Sequence, residues 1–261
     1  MENKFPNLYI IGAMKCGTTS LYEYLKQHPD IFMSDVKEPE LFFEENSHLI
    51  RDGICKSKED ILSLMMKGYK CQKIVGDSSS SYTKFPMFPR CKDIPSKIKS
   101  VCKNPKFIYI IRNPLYRLVS EYKFYVRRLG VNGSFKDHLR WRGKVCLPIS
   151  LYFFQLSNYL KYFDKSCFKV IIFEEFVSNP LDTLKDIFKF LELDSTKYGL
   201  GEFKVYNKSP RSQDELKFDK ESYDNIIKPI KEDVDQMEKF LGRSLDLWDL
   251  SEERWVKKDK A

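Results

Sequence analysis

What would anchor a disulfide or zinc scaffold is missing. The seven cysteines, Cys16, Cys55, Cys71, Cys91, Cys102, Cys146 and Cys167, are odd in number, form no CxxC pair and have only three histidines in the whole chain to partner them. That argues against a disulfide framework and against a zinc site. No positively charged, then apolar leader opens the chain at Met1 to Pro6, and no apolar run approaches the ~20 residues that cross a bilayer. The expectation is a cytoplasmic chain without an integral membrane segment. Basic residues are not gathered into an arm: the longest cluster is Lys257, Lys258 and Lys260, so the net charge of +8 reads as solvated surface, and no nucleic-acid partner is expected. Internal repeats and low-complexity segments are absent too, which leaves no solenoid or disordered tract to consider.

What is present is apolar material in an alternating arrangement. With 261 residues, 42% hydrophobic and 15% aromatic, the chain can bury one sizeable core and reads as a single domain over residues 1–261. Short β-rich runs at Leu8 to Ile11, Lys73 to Val75, Lys106 to Ile111 and Lys169 to Phe173 alternate with 3.6-periodic stretches. Helices are expected at Thr19 to Lys26, Lys58 to Gly68, Leu115 to Arg128, Ser150 to Tyr162, Leu181 to Leu191 and Lys220 to Leu241. This is the pattern of a three-layer α/β fold, a central parallel sheet flanked by helices. Asn113-Pro114 and Asn179-Pro180 each place an amide at the N-cap and a proline at the first helical position, where its missing N–H costs nothing. Irregular structure is expected at Ser34 to His48, Asp77 to Pro89, Leu129 to Pro148 and Gly199 to Asp219. Loops leaving the carboxyl ends of parallel strands carry the ligand in such folds.

The first of these turns is built for an anion. Leu8 to Gly12 runs into Ala13-Met14-Lys15-Cys16-Gly17-Thr18-Thr19-Ser20, and a helical pattern follows at Leu21, Tyr22 and Leu25. Strand, glycine turn and helix aim backbone N–H groups and a helix dipole at one point, with a lysine and three hydroxyls added. An ordinary βα turn with a hydroxyl N-cap is the plainer alternative. A nucleoside-triphosphate loop, G-x-x-x-x-G-K-[ST], needs lysine directly after the second glycine. Here Gly17 is followed by Thr18 and the lysine precedes it, which weakens a kinase reading, although Asp77 after the Lys73 strand could serve as an acidic magnesium ligand.

On these residues the chain resembles the sulfotransferases that use 3′-phosphoadenosine 5′-phosphosulfate (PAPS), in the branch shared by bacterial and heparan-sulfate-type enzymes. The resemblance implies a P-loop nucleotide-kinase-like fold in which Lys15, Cys16, Gly17, Thr18, Thr19 and Ser20 hold the 5′-phosphosulfate. It implies that Lys15 stabilises the leaving phosphate, that adenosine 3′,5′-bisphosphate is released and that no metal takes part. The second family signature is a strand, R-N-P, and a serine eight residues after the arginine. Lys106 to Ile111, Arg112-Asn113-Pro114 and Ser120 match it. The implied role of Arg112 and Ser120 is to bind the 3′-phosphate. An arginine at a strand end beside a helix N-terminus does offer a planar fork for phosphate, though Arg112 alone would also suit a surface salt bridge. Asn207 to Ser212 resembles the late loop that closes over the nucleotide, with Arg211 as a further phosphate ligand.

The acceptor side is less sharply written. Transfer to a hydroxyl needs a group that takes the acceptor proton. Lys37-Glu38-Pro39-Glu40-Leu41-Phe42-Phe43 resembles the family's K-E-P-x-F-F stretch, whose glutamate after the lysine is the usual base. Here the stretch is one residue longer, so Glu40 stands as a rival to Glu38. Asp77-Ser78-Ser79-Ser80-Ser81-Tyr82 resembles the acceptor-side segment, which would place Asp77, Ser78 and Tyr82 along the acceptor cleft; a plain serine loop is the alternative. His28 before Pro29 reads as a helix stop. The acceptor is expected to be a small molecule or a carbohydrate. A magnesium-dependent kinase and a non-catalytic nucleotide- or polyanion-binding module remain as competing functions, and the oligomeric state is not encoded in any local pattern.

Overall fold

Leu8–Gly12 (β1) has no exposed residue, and a run buried on both faces belongs in the middle of a parallel sheet. The computed structural model, which describes residues 5–130, 132–198 and 216–257, places it there. The other strands are Ile31–Met33 (β2), Ile74–Ser78 (β3), Lys106–Ile111 (β4) and Phe168–Ile172 (β5). They form one five-stranded sheet in the order β2-β3-β1-β4-β5, parallel throughout. The chain leaves β1 toward the β2–β3 side and leaves β4 toward β5. The crevice between the carboxyl ends of β1 and β4 is therefore the switch point where such sheets bind ligands.

The helices are Thr18–Leu25 (α1), His48–Arg51 (α2), Lys58–Met65 (α3), Ile94–Val101 (α4), Pro114–Leu129 (α5), Phe135–Ser150 (α6), Tyr152–Leu160 (α7), Phe173–Ser178 (α8), Pro180–Phe190 (α9), Lys220–Leu241 (α10) and Glu252–Trp255 (α11). Short 3₁₀ turns occupy Leu41–Asn46, Ser80–Thr83 and Pro89–Lys92. The six expected helices all form, within a few residues. Asn113 caps α5 as expected, its Oδ1 accepting from the N–H of Leu115 at 3.0 Å and of Tyr116 at 3.3 Å. Asn179 occupies the N-cap of α9, but no side-chain cap bond forms there.

Three expectations are corrected. The edge strand β2 was not foreseen, because three residues after His28-Pro29 give no alternation to detect. Leu129 to Pro148 is not irregular: α6 fills most of it, started by a capping box between Ser134 and Asp137. Phe135, His138, Leu139, Cys146 and Ile149 form its buried face, while the interleaved Lys136, Arg140, Arg142 and Lys144 and the late Pro148 masked that period. Phe173 begins α8 instead of ending β5, which turns its ring toward the site.

Candidate active site

The turn after β1 is held tight by its own backbone. The Ala13 N–H donates to the Ile110 carbonyl of β4 at 2.7 Å, and the Cys16 N–H donates to the Ala13 carbonyl at 3.1 Å. Gly17 is the N-cap of α1 with φ 91°, a conformation that favours glycine. A Cβ there would lie 3.0 Å from the Phe173 ring. The first N–H bonded back into the turn is that of Leu21, to the Gly17 carbonyl at 3.2 Å. The earlier N–H groups of α1 lack intrahelical acceptors and, with the helix dipole, face the crevice mouth. Lys15 is itself left-handed, φ 70°, at a cost on the order of 1 kcal/mol. Cys16 supports the loop from within: it is fully buried, and burial pushes its thiol up to about 11.

The turn after β4 lies beside it and shares its supports. The Arg112 N–H reaches the Tyr152 hydroxyl at 3.4 Å, and that hydroxyl also lies 3.8 Å from Cys16 Sγ. Glu174 Oε1 accepts from the Asn113 N–H at 3.0 Å. The Arg112 guanidinium stands 4.7 Å from the Phe173 ring centroid and 5.6 Å from that of Tyr116. Its Nε is buried and has no hydrogen-bond partner among the described residues. A buried, unsatisfied guanidinium donor is costly unless an acceptor arrives. Phe173 thus touches both turns, bordering Gly17 on one side and Arg112 on the other.

The helix α5 closes this side. Tyr116, Ser120, Phe124 and Arg127 recur at helical spacing on one face. Ser120 is half-buried, one turn beyond the ring that meets Arg112. Lys15 Nζ lies 4.5 Å from the Phe124 ring centroid. The Lys15 amine is held below its ordinary value, first by burial and then by Arg127 and Arg112. Three cations therefore share one field, an arrangement that favours an anion between them. Arg127, Phe124 and Phe173 were missed as site residues, although the spacing along α5 could have revealed the first two.

The acceptor-side loops join the donor side through Lys37, whose Nζ donates to Thr19 Oγ1 of α1 and whose amine is lowered by burial. This contact, also unforeseen, ties the residue before Glu38 to the start of α1. Glu38 is left-handed, φ 55°. Its N–H donates to the Ser78 carbonyl at 3.1 Å, and its Oε1 accepts from Ser80 Oγ at 3.0 Å. Glu40, φ 52°, faces elsewhere: its Oε2 accepts from the His48 N–H at 3.2 Å and lies 3.3 Å from His48 Nδ1. The structure thereby separates the two glutamates, Glu38 bonded to Ser80 and Glu40 turned toward α2.

Asp77 and Tyr82, both expected along the acceptor cleft, are packed into the interior. Both are 1% exposed. Tyr82 donates to Asp77 Oδ2 at 2.7 Å, and Ser79 donates to Oδ1 at 2.6 Å. Burial pushes the Asp77 carboxyl up to about 6, opposed by those two hydrogen bonds. The pair knits the loop to the sheet, and Thr83 Oγ1 extends the knit by donating to the Ile11 carbonyl at 2.8 Å. Ser78 is buried as well, its Oγ without a partner among the described residues. Arg211 lies outside the described residues. Among the described residues, no helix is long and apolar enough to cross a membrane.

Comparison with known proteins agrees with this geometry. The pattern of the sulfotransferase domain family matches residues 5–217. Human carbohydrate sulfotransferase 15 is 26% identical over 245 residues, covering 72% of this chain and 44% of that protein. Human heparan sulfate glucosamine 3-O-sulfotransferase 6 is 28% identical over 200 residues, covering 74% of this chain and 54% of that protein. The chain spans about half the length of these curated relatives. Among solved structures, a sulfotransferase from Alicyclobacillus acidocaldarius superposes with a TM-score of 0.76 at 24% identity, covering 94% of this chain and 99% of that one.

Proposed function

The chain belongs to the sulfotransferase family, and from that premise we propose that it transfers a sulfuryl group from PAPS to a hydroxyl of a sugar or small natural product. The observation that carries this reading is the pair of strand-to-helix turns across the β1/β4 crevice. They share Tyr152 and Phe173 and present Lys15 and the unsatisfied Arg112. Two adjacent anion sites suit a donor with phosphate at both ends. Thr18, Thr19, Ser20 and the α1 N-terminus serve the 5′ end, and Arg112 with Ser120 serves the 3′-phosphate. Arg211 is proposed as an additional ligand. The sugar-type acceptor is supported by the names of the relatives, one a carbohydrate sulfotransferase and one acting at a 3-O position.

In this reading Glu38 takes the proton of the acceptor hydroxyl as its oxygen bonds to sulfur, and the bond from sulfur to the phosphate oxygen breaks in line. Lys15 stabilises the charge that develops on the leaving oxygen, giving adenosine 3′,5′-bisphosphate as product. The Ser80 hydroxyl on Glu38 Oε1 orients the carboxylate and leaves Oε2 for the proton. With Lys15, Arg112 and Arg127 supplying positive charge, turnover is expected to persist in EDTA. The deciding experiment is calorimetry with adenosine 3′,5′-bisphosphate and adenosine 5′-monophosphate. The bisphosphate should bind much more tightly, and Arg112→Ala should weaken it by about 1.5–3 kcal/mol while scarcely affecting the monophosphate. Equal affinities in the unaltered protein would overturn the reading.

A further inference from the structure

The segment that follows α10 returns to the turn carrying Arg112, and Glu174 at the start of α8 joins the two. Its Oε1 accepts from the Asn113 N–H at 3.0 Å, and its Oε2 accepts from Trp248 Nε1 at 3.1 Å. Asn113 reaches back in turn, its Nδ2 donating to the Asp249 carbonyl at 3.2 Å. That carbonyl also accepts from Trp255 Nε1 at 2.7 Å. Asn113, Trp248 and Trp255 are all buried, so these bonds are made away from water, where an unmade partner is costly.

Ring contacts converge on the same side of the crevice. Phe173, next to Glu174, sets its ring 4.7 Å from the Arg112 guanidinium. The Trp248 ring centroid lies 6.0 Å from that of Tyr152, whose hydroxyl meets the Arg112 N–H. The Trp255 ring stands edge-on to Tyr116 at 4.6 Å, and Tyr116 is the other ring beside Arg112. Arg243, just past α10, fastens the start of α8 by donating to both oxygens of Glu175 at 2.6 and 2.7 Å. The Arg112 turn is thus held by side chains that themselves rest on the carboxyl-terminal segment.

We propose that Trp248 is a positioning residue for the 3′-phosphate: through Glu174 it fixes the backbone of Arg112 and Asn113, so that the grip of Arg112 is set in part from the carboxyl-terminal segment. Sites of this kind depend on supporting hydrogen bonds to hold the contacting side chain in place. The proposal rests on the donor reading above for the identity of that phosphate. Glu174 gives it a distinctive sign. By its charge alone a carboxylate beside the Arg112 turn disfavours a bound anion. By its two hydrogen bonds it holds the turn that binds the anion, and the two effects run in opposite directions.

The test is calorimetry with adenosine 3′,5′-bisphosphate and adenosine 5′-monophosphate on two variants that break the same bond. Trp248→Phe keeps an aromatic ring and loses the N–H. Glu174→Gln keeps an acceptor for Asn113 and loses the one for Trp248. Each should weaken the bisphosphate roughly three- to thirtyfold and leave the monophosphate within about twofold. The double variant should lose little more than the more weakened single variant, because one interaction is removed in all three. Unchanged or tighter bisphosphate binding in either single variant, equal weakening of the two nucleotides, or additive losses in the double variant would overturn the proposal. A general loosening of the fold would show as equal weakening together with a lower thermal midpoint. Failure of the donor reading would appear separately, as equal affinity for the two nucleotides in the unaltered protein.

Discussion

Around the carboxyl ends of β1 and β4 the functional groups are cations that wait for a partner. Around the Ser34 to Thr83 loops they are carboxylates that already have one. Lys15 is depressed by burial and by Arg127 and Arg112, and Arg112 Nε is buried without an acceptor. Glu38, by contrast, holds the Ser80 hydroxyl, Glu40 holds His48, and Asp77 holds Ser79 and Tyr82. In the proposed reading the donor half is completed by its ligand, whereas the acceptor half is assembled in advance. By linkage, ligand binding to the donor half adds to stability, and mutations there should appear as lost affinity or turnover more than as lost structure.

The sharpest break of this contrast is at Glu38. Glu38→Gln should lower kcat by ~100- to 10,000-fold while bisphosphate affinity stays nearly constant, because the proton acceptor goes and the donor cations remain. Glu40→Gln is its companion and should act mainly on acceptor KM, since Glu40 is turned toward α2. A near-normal Glu38→Gln enzyme beside an inactive Glu40→Gln enzyme would reverse the assignment. The next effect is at Lys15, where Lys15→Ala should reduce kcat by ~100-fold or more, the scale of one transition-state charge contact. Steady-state kinetics with single-turnover controls measures both. An unaltered kcat for Lys15→Ala would remove it from the chemistry.

The smallest expected effect is on stability. Burial raises the Asp77 carboxyl to about 6, so the folded state binds its proton more tightly than the unfolded chain does. The stabilisation this gives is present below about pH 4 and is lost as the pH rises through about 6, with a size on the order of 3 kcal/mol. Asp233 is raised to about 6 in the same way. Asp77→Asn should flatten part of the fall in thermal midpoint across that window, and adding Asp233→Asn should flatten most of the rest. A slope unchanged in the double variant would show that neither group is titrating there.

The donor half was legible in the sequence because it is local. Lys15 to Ser20 and Arg112 to Ser120 are each one continuous strand, turn and helix, and the inner strands β1 and β4 are unbroken apolar runs. The acceptor half was legible only in part. Glu38 and Glu40 lie two residues apart, and nothing in their spacing says that left-handed backbone at both turns one toward Ser80 and the other toward His48. The burial of Asp77 and Tyr82 was not legible, since local sequence does not show which hydroxyls the sheet end will bury. A pocket between Phe43, Arg51, Phe88 and Arg90 was invisible because three separate elements, the turn Leu41–Asn46, α2 and the turn Pro89–Lys92, meet there. β2 was lost to its length and α6 to the charges threaded through its apolar face.

Phe173 limits what the two turns beside it can accommodate. Its ring fills the space that a Cβ at Gly17 would take, 3.0 Å away, and on its other side borders the Arg112 guanidinium. The two turns are therefore spaced by a single aromatic thickness. A side chain at position 17 would meet both this ring and a left-handed backbone, so trimming residue 173 alone would not make room for it, and it would also remove the packing beside Arg112.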